Sequence, residues 1–106
     1  MASKPKEIIL SQQAAEELDE LHEYLLLEFG RTALEKFHQK WEQFLSVVSR
    51  HPRIFPLLHK RKNLRKYAIH PKTIIVYKSS KQFIEIVTLF NTRKNPATLK
   101  KTIKRV

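Results

Sequence analysis

Asn63-Leu64-Arg65-Lys66-Tyr67-Ala68-Ile69-His70-Pro71-Lys72-Thr73-Ile74-Ile75-Val76-Tyr77-Lys78-Ser79-Ser80-Lys81-Gln82-Phe83-Ile84-Glu85-Ile86-Val87-Thr88-Leu89-Phe90-Asn91-Thr92-Arg93 is the stretch that decides the fold. It contains three apolar runs rich in β-branched and aromatic residues: Leu64 to His70, Thr73 to Lys78 and Phe83 to Phe90. Runs of this length and composition read as strands. The links between them are short. Pro71 presets φ for a turn, and Ser79-Ser80-Lys81-Gln82 suits a four-residue loop built on a type I turn. A three-stranded antiparallel meander is expected, opening in a basic cluster and closing in Asn91-Thr92-Arg93-Lys94.

Upstream, the apolar residues take the spacing of a helix. Ala14, Leu18, Leu21, Leu25 and Phe29 recur at spacings of three and four, with Ser11 placed to cap the helix and Gly30 to stop it. Glu16, Glu17, Asp19, Glu20 and Glu23 fall early in this helix, towards the positive end of its dipole. A second stripe follows in Phe37, Trp41, Phe44, Leu45 and Val48, with Trp41 read as core. Thr32 and Glu35 have capping-box spacing, and Pro52 ends the helix. Before the pair, Glu7-Ile8-Ile9-Leu10 is long enough for one edge or central strand. After it, Arg53 to Leu58 reads as an irregular connector held down by Phe55 and Leu57. The fold class is therefore α+β in the order β-α-α-β-β-β. The helices pack on one sheet face because no other apolar surface is available to them. Residues 1–106 form one domain, with a basic tail from about 94 to 106 that is a weak helix or disordered until bound.

Composition excludes several classes of chemistry. The absence of cysteine removes disulfides, thiolate metal sites and thiol nucleophiles, and a single glycine removes any glycine-rich phosphate loop. His22 and His38 sit on separate helices with no ligand-like pairing, so no metal and no cofactor are expected. No run is long enough to span a membrane and no leader is visible, so a cytoplasmic location is expected.

Charge is the most informative quantity. The net charge is +11, and it is unevenly spread. Residues 1–49 carry five Lys or Arg against nine Asp or Glu, a net −4, whereas residues 50–106 carry sixteen against one, a net +15. One acid in that half leaves almost no local neutralisation, so a polyanionic partner is implied. Lys60, Arg61, Lys62, Arg65, Lys66 and Arg93 are the candidate target-binding residues. Glu85 is read as the cross-strand partner of a neighbouring cation.

The chain resembles the RelE/ParE superfamily, the toxin halves of bacterial type II toxin–antitoxin (plasmid stabilisation-type) systems, over about Glu7 to Leu99. The resemblance is carried by Ile9-Leu10-Ser11 leading into Ala14-Ala15-Glu16-Glu17-Leu18, by Tyr24, Phe29-Gly30 and Ala33 with Phe37, and by Pro52 and Pro56. It continues in Leu64-Arg65, Ile74-Ile75-Val76-Tyr77, Ile84-Glu85-Ile86 and Leu89-Phe90-Asn91-Thr92-Arg93. It implies a compact growth-inhibiting toxin neutralised by a cognate antitoxin, with an apolar surface that could also drive homodimer formation. ParE-like members inhibit DNA gyrase; RelE-like members cut mRNA on the ribosome.

Under the RelE-like reading, Arg65 and Arg93 match the family's phosphate-contacting arginines, and a guanidinium fork suits that role. Metal-free RNA cleavage also needs a base and an acid. RelE-like nucleases commonly carry a tyrosine or histidine just beyond the last strand, and this chain has neither after Phe90. His59 and Tyr77 are the remaining catalytic candidates, although Tyr77 also reads as a half-buried strand aromatic. The ParE-like reading is preferred on this ground. The RelE-like endoribonuclease and a small basic nucleic-acid-binding module stand as the alternatives.

Overall fold

The computed structural model describes residues 4–92 together with 101, 103 and 104. The elements run β1 (Glu7–Leu10), α1 (Gln12–Phe29), α2 (Arg31–Arg50), β2 (Leu57–His59), β3 (Leu64–His70), β4 (Thr73–Ser79) and β5 (Phe83–Asn91). They build one five-stranded sheet in the order β1-β5-β4-β3-β2. The meander is present as the sequence predicts, with β3, β4 and β5 antiparallel.

Two features enlarge it. β1 is an edge strand and pairs parallel to β5, with Ile8 opposite Ile84 and Leu10 opposite Ile86, so the sheet is mixed. The expected irregular connector also yields a fifth strand: Leu57 pairs with Arg65 and His59 with Leu64, leaving Leu58 as a bulge. Leu57 consequently lies exposed, and Phe55 alone of the expected pair packs against the core.

Helix α1 starts where Ser11 directs it. The Ser11 hydroxyl accepts the Ala14 N–H at 3.0 Å and donates to the Val87 carbonyl at 2.7 Å, so the cap also ties the helix to β5. The first turn of α1 carries no acid. The dipole effect fades beyond that turn. Glu17 acts instead by direct bonds, accepting the Thr88 hydroxyl at 2.6 Å and the Leu89 N–H at 3.2 Å.

Gly30 serves both helices. Its N–H closes α1 on the carbonyls of Leu25 and Leu26, and its carbonyl receives the Leu34 N–H of α2. The capping box expected at Thr32 and Glu35 is therefore not used. Helix α2 begins two residues earlier, at Arg31 with Gly30 in the cap position, and has no side-chain cap.

The apolar stripes meet the sheet in one core. Ala14 and Leu25 of α1, and Phe37, Trp41, Phe44 and Val48 of α2, pack on Ile69, Ile75, Tyr77, Ile84, Ile86 and Leu89. Burying aliphatic side chains of this size stabilises the fold by about 1.5–3 kcal/mol each. Phe29, expected in the stripe, is 61% exposed. On the opposite sheet face Leu64, Val76 and Val87 form a second cluster, against which Ile103 packs. Most of the tail, together with Arg93, lies outside the described residues.

Candidate target-binding surface

Alternation along β3 divides the basic cluster. Neighbouring residues of a strand point to opposite faces. Arg65 and Tyr67 share the helix-side face with their register partners Tyr77 and Ile75. Leu64 belongs to the opposite face, and the exposed Lys66 alternates onto it.

Arg65 faces the connector between α2 and β2. Its Nη1 donates to the Phe55 carbonyl at 2.7 Å and lies 3.3 Å from the Arg53 carbonyl. Tyr77, fully buried, donates its hydroxyl to the Pro52 carbonyl at 2.8 Å. Burial pushes the Tyr77 phenol up to about 12, opposed by the nearby Arg65 charge and a backbone hydrogen bond from Phe55. A phenol in that range keeps its proton at neutral pH. Phe44 and Phe55 lie against its ring, at centroid distances of 5.8 and 6.4 Å.

Lys60, Arg61 and Lys62 occupy the turn between β2 and β3. The Lys60 carbonyl accepts the Asn63 N–H at 3.1 Å, and Asn63 sits at φ 54°, a left-handed conformation asparagine tolerates. His59 Nδ1 accepts the Lys62 N–H at 3.2 Å, which requires that nitrogen to be unprotonated. Lys60 and Arg61 stand exposed, and the Lys62 ammonium donates to the Ile103 carbonyl. Glu85 pairs with Lys78 across the sheet at 3.6 Å, as its register predicts.

Three features escape the sequence reading. The first is at the same end of the sheet as the basic turn, where Lys6 precedes β1 and Lys81 sits between β4 and β5; the β1–β5 register that joins them has no local signal. The second is a groove of about 430 Å³ between α1 and the β3–β4 turn, lined by Glu20, Leu21, Tyr24, Phe29, Pro71 and Leu89 among others. The exposed Phe29 belongs to it. The third is the pairing of His22 with His38, whose rings stack at a centroid distance of 4.6 Å, where no relation was expected. No cluster of three metal-ligating side chains occurs among the described residues. No helix among them is long and apolar enough to cross a membrane.

The surface thus supplies cations for a polyanion, while the Tyr77 phenol behind it is buried and protonated. Relatives bear on what it serves. The chain is similar in structure to the toxin–antitoxin protein of a chromosomal ParDE system from P. aeruginosa, with TM-score 0.66 and 12% identity over 84% of this chain and 98% of that one. It is also similar to YoeB from Staphylococcus aureus, described as a dimer, with TM-score 0.58 and 16% identity over 82% and 97% of the two chains. A chain of the E. coli DinJ–YafQ toxin–antitoxin complex superposes with TM-score 0.57 and 12% identity over 85% of this chain and 96% of that one. At such identities these likenesses establish the fold. No curated protein sequence matches the chain. The family described as the ParE toxin of the type II toxin–antitoxin system parDE matches residues 8–96, most of the chain. With that match added to the shared fold, the chain belongs to the ParE toxin family, within the RelE/ParE superfamily of type II toxins.

Proposed function

We propose that the protein is the toxin of a toxin–antitoxin pair, held inactive by a cognate antitoxin, and that when free it stops growth by inhibiting DNA gyrase. The observation that carries this reading is the arrangement of Arg65 and Tyr77. Both are committed to the connector carbonyls, and the Tyr77 phenol is buried and fully protonated at neutral pH. A nuclease built on this fold would need a proton acceptor and donor at the phosphate. The sequence after Phe90 supplies no tyrosine or histidine to replace them. Binding-based inhibition needs neither.

The test is a supercoiling assay with purified gyrase and the free toxin. Inhibition at stoichiometric toxin, relieved by the cognate antitoxin, is the expected result. Undisturbed supercoiling at large excess contradicts the proposal.

A second reading, ribosome-dependent cleavage of mRNA, is favoured by the exposed cations Lys60 and Arg61 and by the fold shared with YoeB and YafQ. In that case His59 would be the proton carrier, with Arg65 and Arg93 at the phosphate. Cleaved mRNA on toxin-treated ribosomes, lost in His59→Gln, identifies it.

A further inference from the structure

The three segments at one end of the sheet come from distant parts of the chain. They are the residues before β1, the β2–β3 turn and the β4–β5 turn, and they bring Lys6, Lys60, Arg61, Lys62 and Lys81 together. Hydrogen bonds lock the segments to one another. Asn63 Nδ2 donates to the Ser79 carbonyl at 3.3 Å, and the Lys6 ammonium donates to Ser79 Oγ at 2.8 Å and to the Ser80 carbonyl. Lys60, Arg61 and Lys81 are exposed and have no acidic partner among the described residues. Lys101 and Lys104 flank Ile103, whose carbonyl receives the Lys62 ammonium.

Strand spacing sets the width of this end. Four intervals of about 4.8 Å separate β1 from β2, so this end of the sheet is about 19 Å wide, and the cations fall within that width, the Lys6 ammonium reaching in to Ser79 at the end of β4. That matches five or six steps of a nucleic-acid strand at about 3.4 Å each. Phe83, 39% exposed beside Lys81, adds one aromatic face at the same place. Acidic character is concentrated elsewhere, on α1, which carries six Asp or Glu and no Lys or Arg.

We propose that this end of the sheet is a binding site for the phosphodiester backbone of nucleic acid, built from Lys6, Lys60, Arg61 and Lys81 and separate from Arg65. An acidic peptide fits less well, because the cations lie in a row across the strands rather than around an apolar groove. The site rests on the placement of charge and holds whichever target the toxin attacks.

The test measures binding of the full chain to a 20-base-pair DNA duplex and to a 20-nucleotide RNA by fluorescence anisotropy, over a range of salt concentrations. Each phosphate neutralised contributes about −0.9 to the slope of log K against log salt for duplex and about −0.7 for a single strand. The variant Lys60→Gln/Arg61→Gln/Lys81→Gln is expected to flatten the duplex slope by about 2.7. Lys36→Gln/Lys40→Gln/Arg50→Gln removes the same charge from exposed positions of α2 and is expected to leave the slope unchanged. Equal flattening by both variants would mean diffuse attraction and overturn the site. So would polyglutamate displacing nucleic acid at equal charge concentration. Melting curves of both variants exclude unfolding as the cause. The stronger binder of the two nucleic acids names the source.

Discussion

Arg65 and Tyr77 are register partners on β3 and β4, and both reach past the sheet to the same connector, Arg65 to the Phe55 carbonyl at 2.7 Å and Tyr77 to the Pro52 carbonyl at 2.8 Å. Proline at positions 52 and 56 removes two backbone donors from this segment. The connector therefore depends on side chains arriving from the sheet. Tyr77→Phe leaves the Pro52 carbonyl without its donor and is expected to cost about 1–3 kcal/mol in urea unfolding. Growth inhibition should persist at a temperature where the variant is folded. Loss of toxicity with unchanged stability would instead place the Tyr77 hydroxyl in chemistry.

Arg65→Met keeps the stem and removes both carbonyl contacts. A hydrogen bond from a charged donor contributes about 1.5–3 kcal/mol, so a loss near that size is expected in the same unfolding assay. Hydrogen exchange should quicken at Lys66, whose N–H is bonded to the Pro56 carbonyl. A stability equal to wild type would mean that Arg65 is free to serve a ligand.

Gly30 sits at φ 89° and ψ −178°, a region almost confined to glycine, and nothing crowds the place a Cβ would take. The cost of Gly30→Ala is thus backbone strain alone, about 1–3 kcal/mol. Asparagine should give no rescue, because its tolerance is for the left-handed helical region and not for this ψ. Thermal unfolding of the two variants checks both statements.

The stacked imidazoles give the helix pair a pH dependence. His22 is held below its ordinary 6.5 chiefly by burial and then by the charge of His38, with Asp19 opposing, and its Nε2 is buried without a partner. A depressed folded value means that the unfolded chain binds the proton more readily. The contribution of His22 is therefore present above pH 6.5 and is lost as pH falls through the lowered folded value. The urea midpoint of wild type should fall between pH 7.5 and 5.5. His22→Leu should flatten that fall, and His38→Gln should reduce it.

Local chemistry made much of this molecule legible in its sequence. Ser11 announced the start of α1, the β-branched and aromatic runs from Thr73 to Phe90 announced the meander, and Glu85 announced its pairing with a cross-strand cation. The misses have a common cause in long-range partnership. Leu57–His59 is only three residues long beside Pro56, and it becomes a strand because Arg65 and Leu64 are there to pair with it. Thr32 and Glu35 carry a capping signature, but Gly30 already joins the two helices tightly enough to start α2 before them. The site was half legible. Adjacency of Arg65 and Lys66 in a strand already sends them to opposite faces, whereas the meeting of Lys6 with Lys81 follows from a parallel register between segments 76 residues apart, Glu7 opposite Phe83.

The most direct test of the central claim is inducible expression in bacteria without antitoxin, with pulse labelling of DNA and protein synthesis after induction. Gyrase inhibition predicts that DNA synthesis falls first, with an SOS response, while protein synthesis continues. An immediate collapse of protein synthesis with cleaved mRNA would contradict it and assign the fold to the nuclease branch of its superfamily.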